Sequence, residues 1–145
     1  SSGDATALIN AVNNASGNPT IKIAGLCAAE TNPGNFMIFI DESVTLQGGY
    51  GFDANNNPIF GATPDPGANA TIIDANKRTR AIAIFNNGNN PNVTINGLII
   101  QNGNAAFGAG IYNFRANVTI NNSTLRHNTV SSGGGGAVCD CDGGG

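Results

Sequence analysis

The amino-acid sequence predicts an all-β fold, a right-handed parallel β-helix solenoid of about five coils with a short N-terminal capping helix. Three observations carry that expectation. The first is composition: of 145 residues, 24 are Asn and 21 are Gly, Trp is absent, and 10% are charged against roughly 25% in an ordinary globular domain. Asn and Gly are poor helix formers, which excludes a helical bundle. The second is patterning. The apolar residues gather in short β-branched runs bounded by Asn and Gly corners, which argues against disorder. The third is an echo: Val93-Thr-Ile-Asn-Gly-Leu-Ile-Ile-Gln101 returns as Val118-Thr-Ile-Asn-Asn-Ser-Thr-Leu-Arg126, with Asn92 and Asn117 in register. Short strands suit a sandwich or a solenoid, and an echo of this period favours the solenoid. The length suits one domain, 1–145.

Taken in order, the chain opens with one helical pattern, 4 to 15, where Leu8, Ile9, Val12 and Ala15 share a face. Asp4 is the expected N-cap and Gly17 the expected stop. Candidate strands follow at 20–24, 36–40, 44–47, 71–74, 81–85, 93–96, 98–101, 111–112, 118–120, 124–126 and 137–139. A second echo, Gly108-Ala-Gly-Ile-Tyr-Asn113 against Gly135-Gly-Ala-Val-Cys-Asp140, places two further runs in one column, and Val44-Thr-Leu-Gln47 shares the first pattern. Alternation turns Val93, Ile95, Val118 and Ile120 inward and Thr94 and Thr119 outward. Segment 48–70 interrupts the repeat as an inserted external loop. Its aromatics Tyr50, Phe52 and Phe60 make it a candidate contact loop.

Gly97-Leu-Ile-Ile-Gln-Asn-Gly-Asn104, Gly108-Ala-Gly-Ile-Tyr-Asn113, Leu125-Arg-His-Asn128 and Gly135-Gly-Ala-Val138 resemble secreted bacterial right-handed β-helix proteins. The Gly-Gly-Ala-Val and hydrophobic-x-x-Asn elements are similar to repeats of the polymorphic outer-membrane protein family. The N-terminal helix followed by Thr20-Ile-Lys-Ile-Ala24 resembles the amphipathic cap of pectin-lyase-like folds. The resemblance implies fold rather than function, because that fold carries lyases, adhesins and fibres alike.

Polysaccharide lyases and hydrolases need clustered carboxylates, as a calcium platform or an acid/base pair. Asp41, Glu42, Asp74, Asp140 and Asp142 recur at no equivalent positions on adjacent coils and read as solvated turn residues. The chain lacks the paired-aspartate and Gly-His-Gly pattern of polygalacturonases. His127, the single histidine, has no nucleophile nearby and reads as a surface turn residue. Lys77-Arg-Thr-Arg80 holds half of the six cations and reads as a solvated corner, or as a receiver for an acidic glycan or a neighbouring subunit. No catalytic, metal or cofactor site emerges.

Cys27, Cys139 and Cys141 make an odd count. Residues two apart on a strand point the same way, so Cys139 and Cys141 are not expected to bridge each other, and about four strand spacings separate Cys27 from both. An intermolecular disulfide between stacked copies is the expectation. Sequons occur at Asn14, Asn69, Asn92, Asn117, Asn121 and Asn122; Asn92 and Asn117, in register, are the candidate glycosylation positions. Most of the Asn excess has a structural explanation, since Asn tolerates left-handed corners and stacks into ladders.

Six cations and a net charge of -3 disfavour a nucleic-acid partner. No apolar stretch is long enough for a membrane span. The opening Ser1-Ser-Gly-Asp4 reads as a mature terminus after cleavage, and scarce Lys and Glu suit a secreted, extracellular or cell-surface chain. The expected function is therefore non-enzymatic: a structural β-helix subunit associating head to tail with itself into a filament, surface fibre or adhesin. The alternative is a glycan-binding or polysaccharide-lyase-like module, with surface glycans as partner.

Overall fold

In the computed structural model, residues 5–31 and 33–141 are described. One helix, α1 (Thr6–Asn13), precedes fourteen strands: β1 (Thr20–Ala24), β2 (Leu26–Ala28), β3 (Phe36–Ile40), β4 (Val44–Tyr50), β5 (Ile72–Asp74), β6 (Arg80–Phe85) and β7 (Asn92–Asn96). The remainder are β8 (Ile99–Gln101), β9 (Asn104–Ala105), β10 (Ile111–Phe114), β11 (Asn117–Asn121), β12 (Thr124–Arg126), β13 (Thr129–Val130) and β14 (Val138–Asp140). They form three four-stranded parallel sheets: sheet I is β1-β4-β7-β11, sheet II β2-β5-β8-β12 and sheet III β3-β6-β10-β14, with a small pair β9-β13. The chain visits sheets I, II and III in that order and then begins again. Each strand pairs with those one pass earlier and later, the arrangement of an all-β parallel solenoid.

The described residues make four passes rather than about five. Long excursions at 29–35, 51–70 and 131–137 use chain that an even period assigns to another coil. The echoes themselves are structural. Val93 and Ile95 pair with Val118 and Ile120, Val44 and Leu46 with Val93 and Ile95, and Ile111, Tyr112 and Asn113 with Val138, Cys139 and Asp140. Parallel in-register pairing requires this, because a slip of one residue would turn every apolar side chain outward.

Stacking the passes builds interior columns. Val44 and Val93, Leu46 and Ile95, Ile73 and Ile100, and Ile82 and Ile111 are fully buried. The corners explain much of the Asn content. Asn102 and His127 occupy the same left-handed position after β8 and β12, with φ of 57° and 54°, and Asn76, one residue further along after β5, turns at 53°. The corner after sheet I uses Gly25, Gly97 and Asn122. Amide ladders run between passes: Asn96 Nδ2 donates to Gln47 Oε1 at 2.8 Å, Asn122 to Asn96 Oδ1 at 3.1 Å, and Asn117 to Asn92 Oδ1 at 3.2 Å.

At the N-terminal end α1 packs against β1 and β3 and buries Leu8 and Val12. It is shorter than 4–15. Ala5 stands at the N-cap without a side-chain bond, Asn14 closes the helix, and Gly17 lies beyond it; the expected cap Asp4 falls outside the described residues. At the other end the columns stop uncovered among the described residues. Val118, Ile120 and Leu125 are only half-buried, and Val138 is 37% exposed.

Candidate functional site

The outer face of sheet III carries a column of aromatic rings. Alternation with buried Ile38, Ile40, Ile84 and Ile111 turns Phe39, Phe85, Tyr112 and Phe114 outward. Ring centroids lie 5.5 Å apart for Phe39–Phe85, 5.5 Å for Phe85–Tyr112 and 5.6 Å for Phe85–Phe114, with planes tilted by 33–36° across the column. Phe36 extends it at 5.1 Å from Phe39. Ala83 occupies the register position between Phe39 and Tyr112 and is fully covered. Its small side chain leaves room for the Phe85 ring to bridge the two.

Two guanidinium groups lie on this column, at 4.6 Å for Arg80 over Tyr112 and 5.1 Å for Arg115 over Phe114. Arg80 also donates through Nη2 to Phe107 O at 2.8 Å and through Nε to Gly108 O at 3.4 Å. Burial lowers its pKa from the usual guanidinium value, with Tyr112 opposing. Five of the chain's seven Phe and two Tyr thus gather in one strip, beside cations and half-buried. The strip offers apolar stacking, positive charge and one phenol hydroxyl, that of Tyr112.

Sheet II carries a polar column of Asp74, Gln101 and Arg126, in register on successive passes. Gln101 Nε2 donates to Asp74 Oδ2 at 2.7 Å, and Arg126 Nε donates to Gln101 Oε1 at 2.8 Å. Asn102 and the Asn76 backbone N–H also donate to the carboxylate. Partial burial works to raise the Asp74 pKa, but these hydrogen bonds and the field of Arg126 outweigh it, so the net shift is downward. That holds Asp74 ionised, which suits an acceptor and not a general acid. Asp140 Oδ1 accepts from Asn113 Nδ2 at 2.8 Å, and Asp41 receives Asn87 and Asn89. Among the described residues no three His, Cys, Asp or Glu side chains gather as a metal site; Asp142 lies outside them.

The cysteine expectation is corrected. Cys139 and Cys141 are joined to each other, with Cα atoms 5.4 Å apart, inside the span a disulfide tolerates. The contrary argument placed both on one straight strand, whereas β14 ends at Asp140 and the chain leaves it there. Both far-end sulfurs are committed within the chain, so the expected bridge to Cys27 of a neighbour loses its partners. Cys27 is 7% exposed and stands at the base of the interior column Ile73–Ile100–Leu125, a small apolar residue in the core.

The other residues singled out from the sequence disperse. His127 is an exposed corner residue. The Lys77–Arg80 run forms no single patch: Arg78 donates to Thr31 O, Arg80 reaches the aromatic column, and Thr79 is buried. Asn92 and Asn117 are exposed and hydrogen-bonded to each other. Tyr50 belongs to β4 and is 5% exposed, so it is core rather than contact; Phe60, 36% exposed, meets its ring edge-on at 5.4 Å. Phe52 lies half-buried against Gly25.

Among the described residues no helix is long and apolar enough to cross a membrane. No family model, curated protein or solved structure matches the chain.

Proposed function

We propose that this chain is a non-enzymatic structural segment of an extracellular right-handed parallel β-helix, related to secreted bacterial proteins of that fold, which works by end-to-end association. The observation that carries the reading is the inequality of the two ends. Val93, Ile95 and Ile100 are at most 1% exposed, whereas Val118, Ile120 and Leu125, the next members of their columns, are half-exposed beside the unpaired edges of β11, β12 and β14. Such edges favour continuation by another set of coils. A disulfide between Cys139 and Cys141 supports an oxidising, extracellular setting.

The inequality also bears on the mode of contact. Head-to-tail stacking into a filament requires α1 to lift, exposing Leu8 and Val12 at a cost of about 3–6 kcal/mol. Tail-to-tail contact between two uncapped ends leaves α1 in place and closes on a two-fold axis as a dimer. Sedimentation equilibrium tests this. The wild type should dimerise, and Val118→Lys with Ile120→Lys should be monomeric. Leu8→Asp with Val12→Asp should free the capped end and give longer assemblies. A wild type that stays monomeric at high concentration would overturn the reading.

The aromatic column favours a second reading, a glycan-binding module, since the C–H faces of sugars pack on aromatic rings and acidic sugars would meet Arg80 and Arg115. Affinity electrophoresis in pectin or alginate, with Tyr112→Ala and Phe114→Ala as comparison, separates the two.

A further inference from the structure

A groove of about 300 Å³ opens between α1, β1 and the insertion that follows β4. One wall is helical: Ala7, Leu8 and Ala11, of which the two alanines are small and leave the space open. Ile23 and Cys27 form the floor, and Phe52, Pro58 and Phe60 the opposite wall. The insertion is built to stand there. Phe52 and Pro58 form an antiparallel bridge, and Asp53 Oδ1 accepts from the backbone N–H groups of Asn55 and Asn57, both at 2.9 Å.

Among the described residues the lining contains one charged group and no acid: Lys22, exposed on β1. Its Nζ donates to Phe60 O at 2.7 Å, and lies 5.6 Å from the Tyr50 ring centroid. An ammonium has three N–H donors, so this carbonyl uses one. An apolar groove with a single oriented polar group is the usual make-up of a small-molecule site.

We propose that this groove binds a small anionic amphiphile, a medium-chain carboxylate whose tail lies between α1 and the insertion and whose head pairs with Lys22. Charge complementarity selects the anion, because Lys22 is the charged group that the described lining offers to a head group. Volume selects the length: about ten non-hydrogen atoms fit, at roughly 30 Å³ each as for a liquid water. Octanoate has that size.

The test uses the full chain, 8-anilinonaphthalene-1-sulfonate fluorescence as reporter, and octanoate and the neutral octanamide as competitors. Octanoate should displace the dye at least tenfold more effectively than octanamide. Lys22→Gln, which keeps a donor for Phe60 O, should bring the two competitors within twofold of each other. Ala11→Phe, at an exposed helix position, should fill the groove and abolish displacement by both, with a far-UV circular dichroism spectrum like the wild type's. Equal competition by octanoate and octanamide in the wild type would overturn the proposal, as would displacement that survives Ala11→Phe. Because neither variant touches β11, β12 or β14, the outcome is independent of end-to-end association.

Discussion

Ile100 and Leu125 are neighbours on one interior column, yet their truncation should differ in cost by a factor of about two. Ile100 is fully buried between Ile73 and Leu125. Ile100→Ala removes three carbons from a closed interior, about 2.4 kcal/mol at roughly 0.8 kcal/mol each. The void adds up to about 2 kcal/mol if the surroundings do not collapse, giving about 3–4 kcal/mol in all. Leu125 is partly exposed, with no coil above it among the described residues, so the same truncation should remove somewhat less transfer energy and leave no closed void, about 1.5–2 kcal/mol. Urea unfolding followed by circular dichroism measures both, at a dilution where the chain is monomeric. Raising the concentration until chains associate should bring the Leu125→Ala cost towards that of Ile100→Ala, because the partner covers the end. Equal costs at dilution would refute the unequal burial, and a Leu125→Ala cost independent of concentration would refute the association.

Other expectations concern the surface. The Asp74 pKa is lowered on folding, so its contribution to stability is complete above the unfolded value near 3.9 and disappears as pH falls through the folded one. Thermal melts of wild type and Asp74→Asn should therefore differ at pH 7 by less than about 1 kcal/mol for so exposed a group, and converge near pH 2. At His127, held at φ 54°, Asn or Gly should be tolerated or slightly stabilising, whereas Val should cost about 1–2 kcal/mol; equal melting temperatures for the three variants would contradict the corner assignment. Non-reducing peptide mapping should find Cys139 and Cys141 bonded within one peptide, and a crosslinked peptide containing Cys27 would exclude the assigned pairing.

How far the sequence is legible depends on whether a feature repeats. Strands on adjacent passes share one environment, so 93–101 and 118–126 are near copies, and their register can be read residue by residue. β2, β9 and β13 are invisible as strands, being two or three residues long and rich in Ala, Asn and Thr, whose pairing comes from their neighbours. The aromatic column escapes for a related reason. Its rings come from three strands at unequal sequence separations, because loop lengths vary between passes, and only the ladder registers bring Phe39, Phe85 and Tyr112 together. The insertion is visible, but composition places its start three residues early: Gly48, Gly49 and Tyr50 continue β4, with Gly49 N–H donating to the buried Thr71 hydroxyl. The cysteine pairing is missed because a strand-direction argument holds only while the strand lasts.

The Asn and Gly excess also accounts for the scarcity of charge. On a helical surface, long Lys and Glu side chains cover apolar stems and keep the face wet. Here outward positions are filled by amides bonded to the same position one pass away, as in Gln47–Asn96 and Asn92–Asn117. A charged ladder in that place would set like charges about 4.8 Å apart, which destabilises, whereas an amide both donates and accepts and can repeat without limit. Asn at the corners adds the left-handed backbone that Lys or Glu adopts poorly, and Asn102 combines both roles, turning the chain at φ 57° while donating to Asp74. Each pass therefore carries the side chains that hold the next, and α1 is the element that breaks this translation. It buries Leu8 and Val12 at the first pass, while the last leaves Ile120 and Leu125 half-exposed. That one difference distinguishes the two ends of the described residues, and coils added at the fourth pass, rather than on either lateral face, would gain both ladder hydrogen bonds and apolar burial.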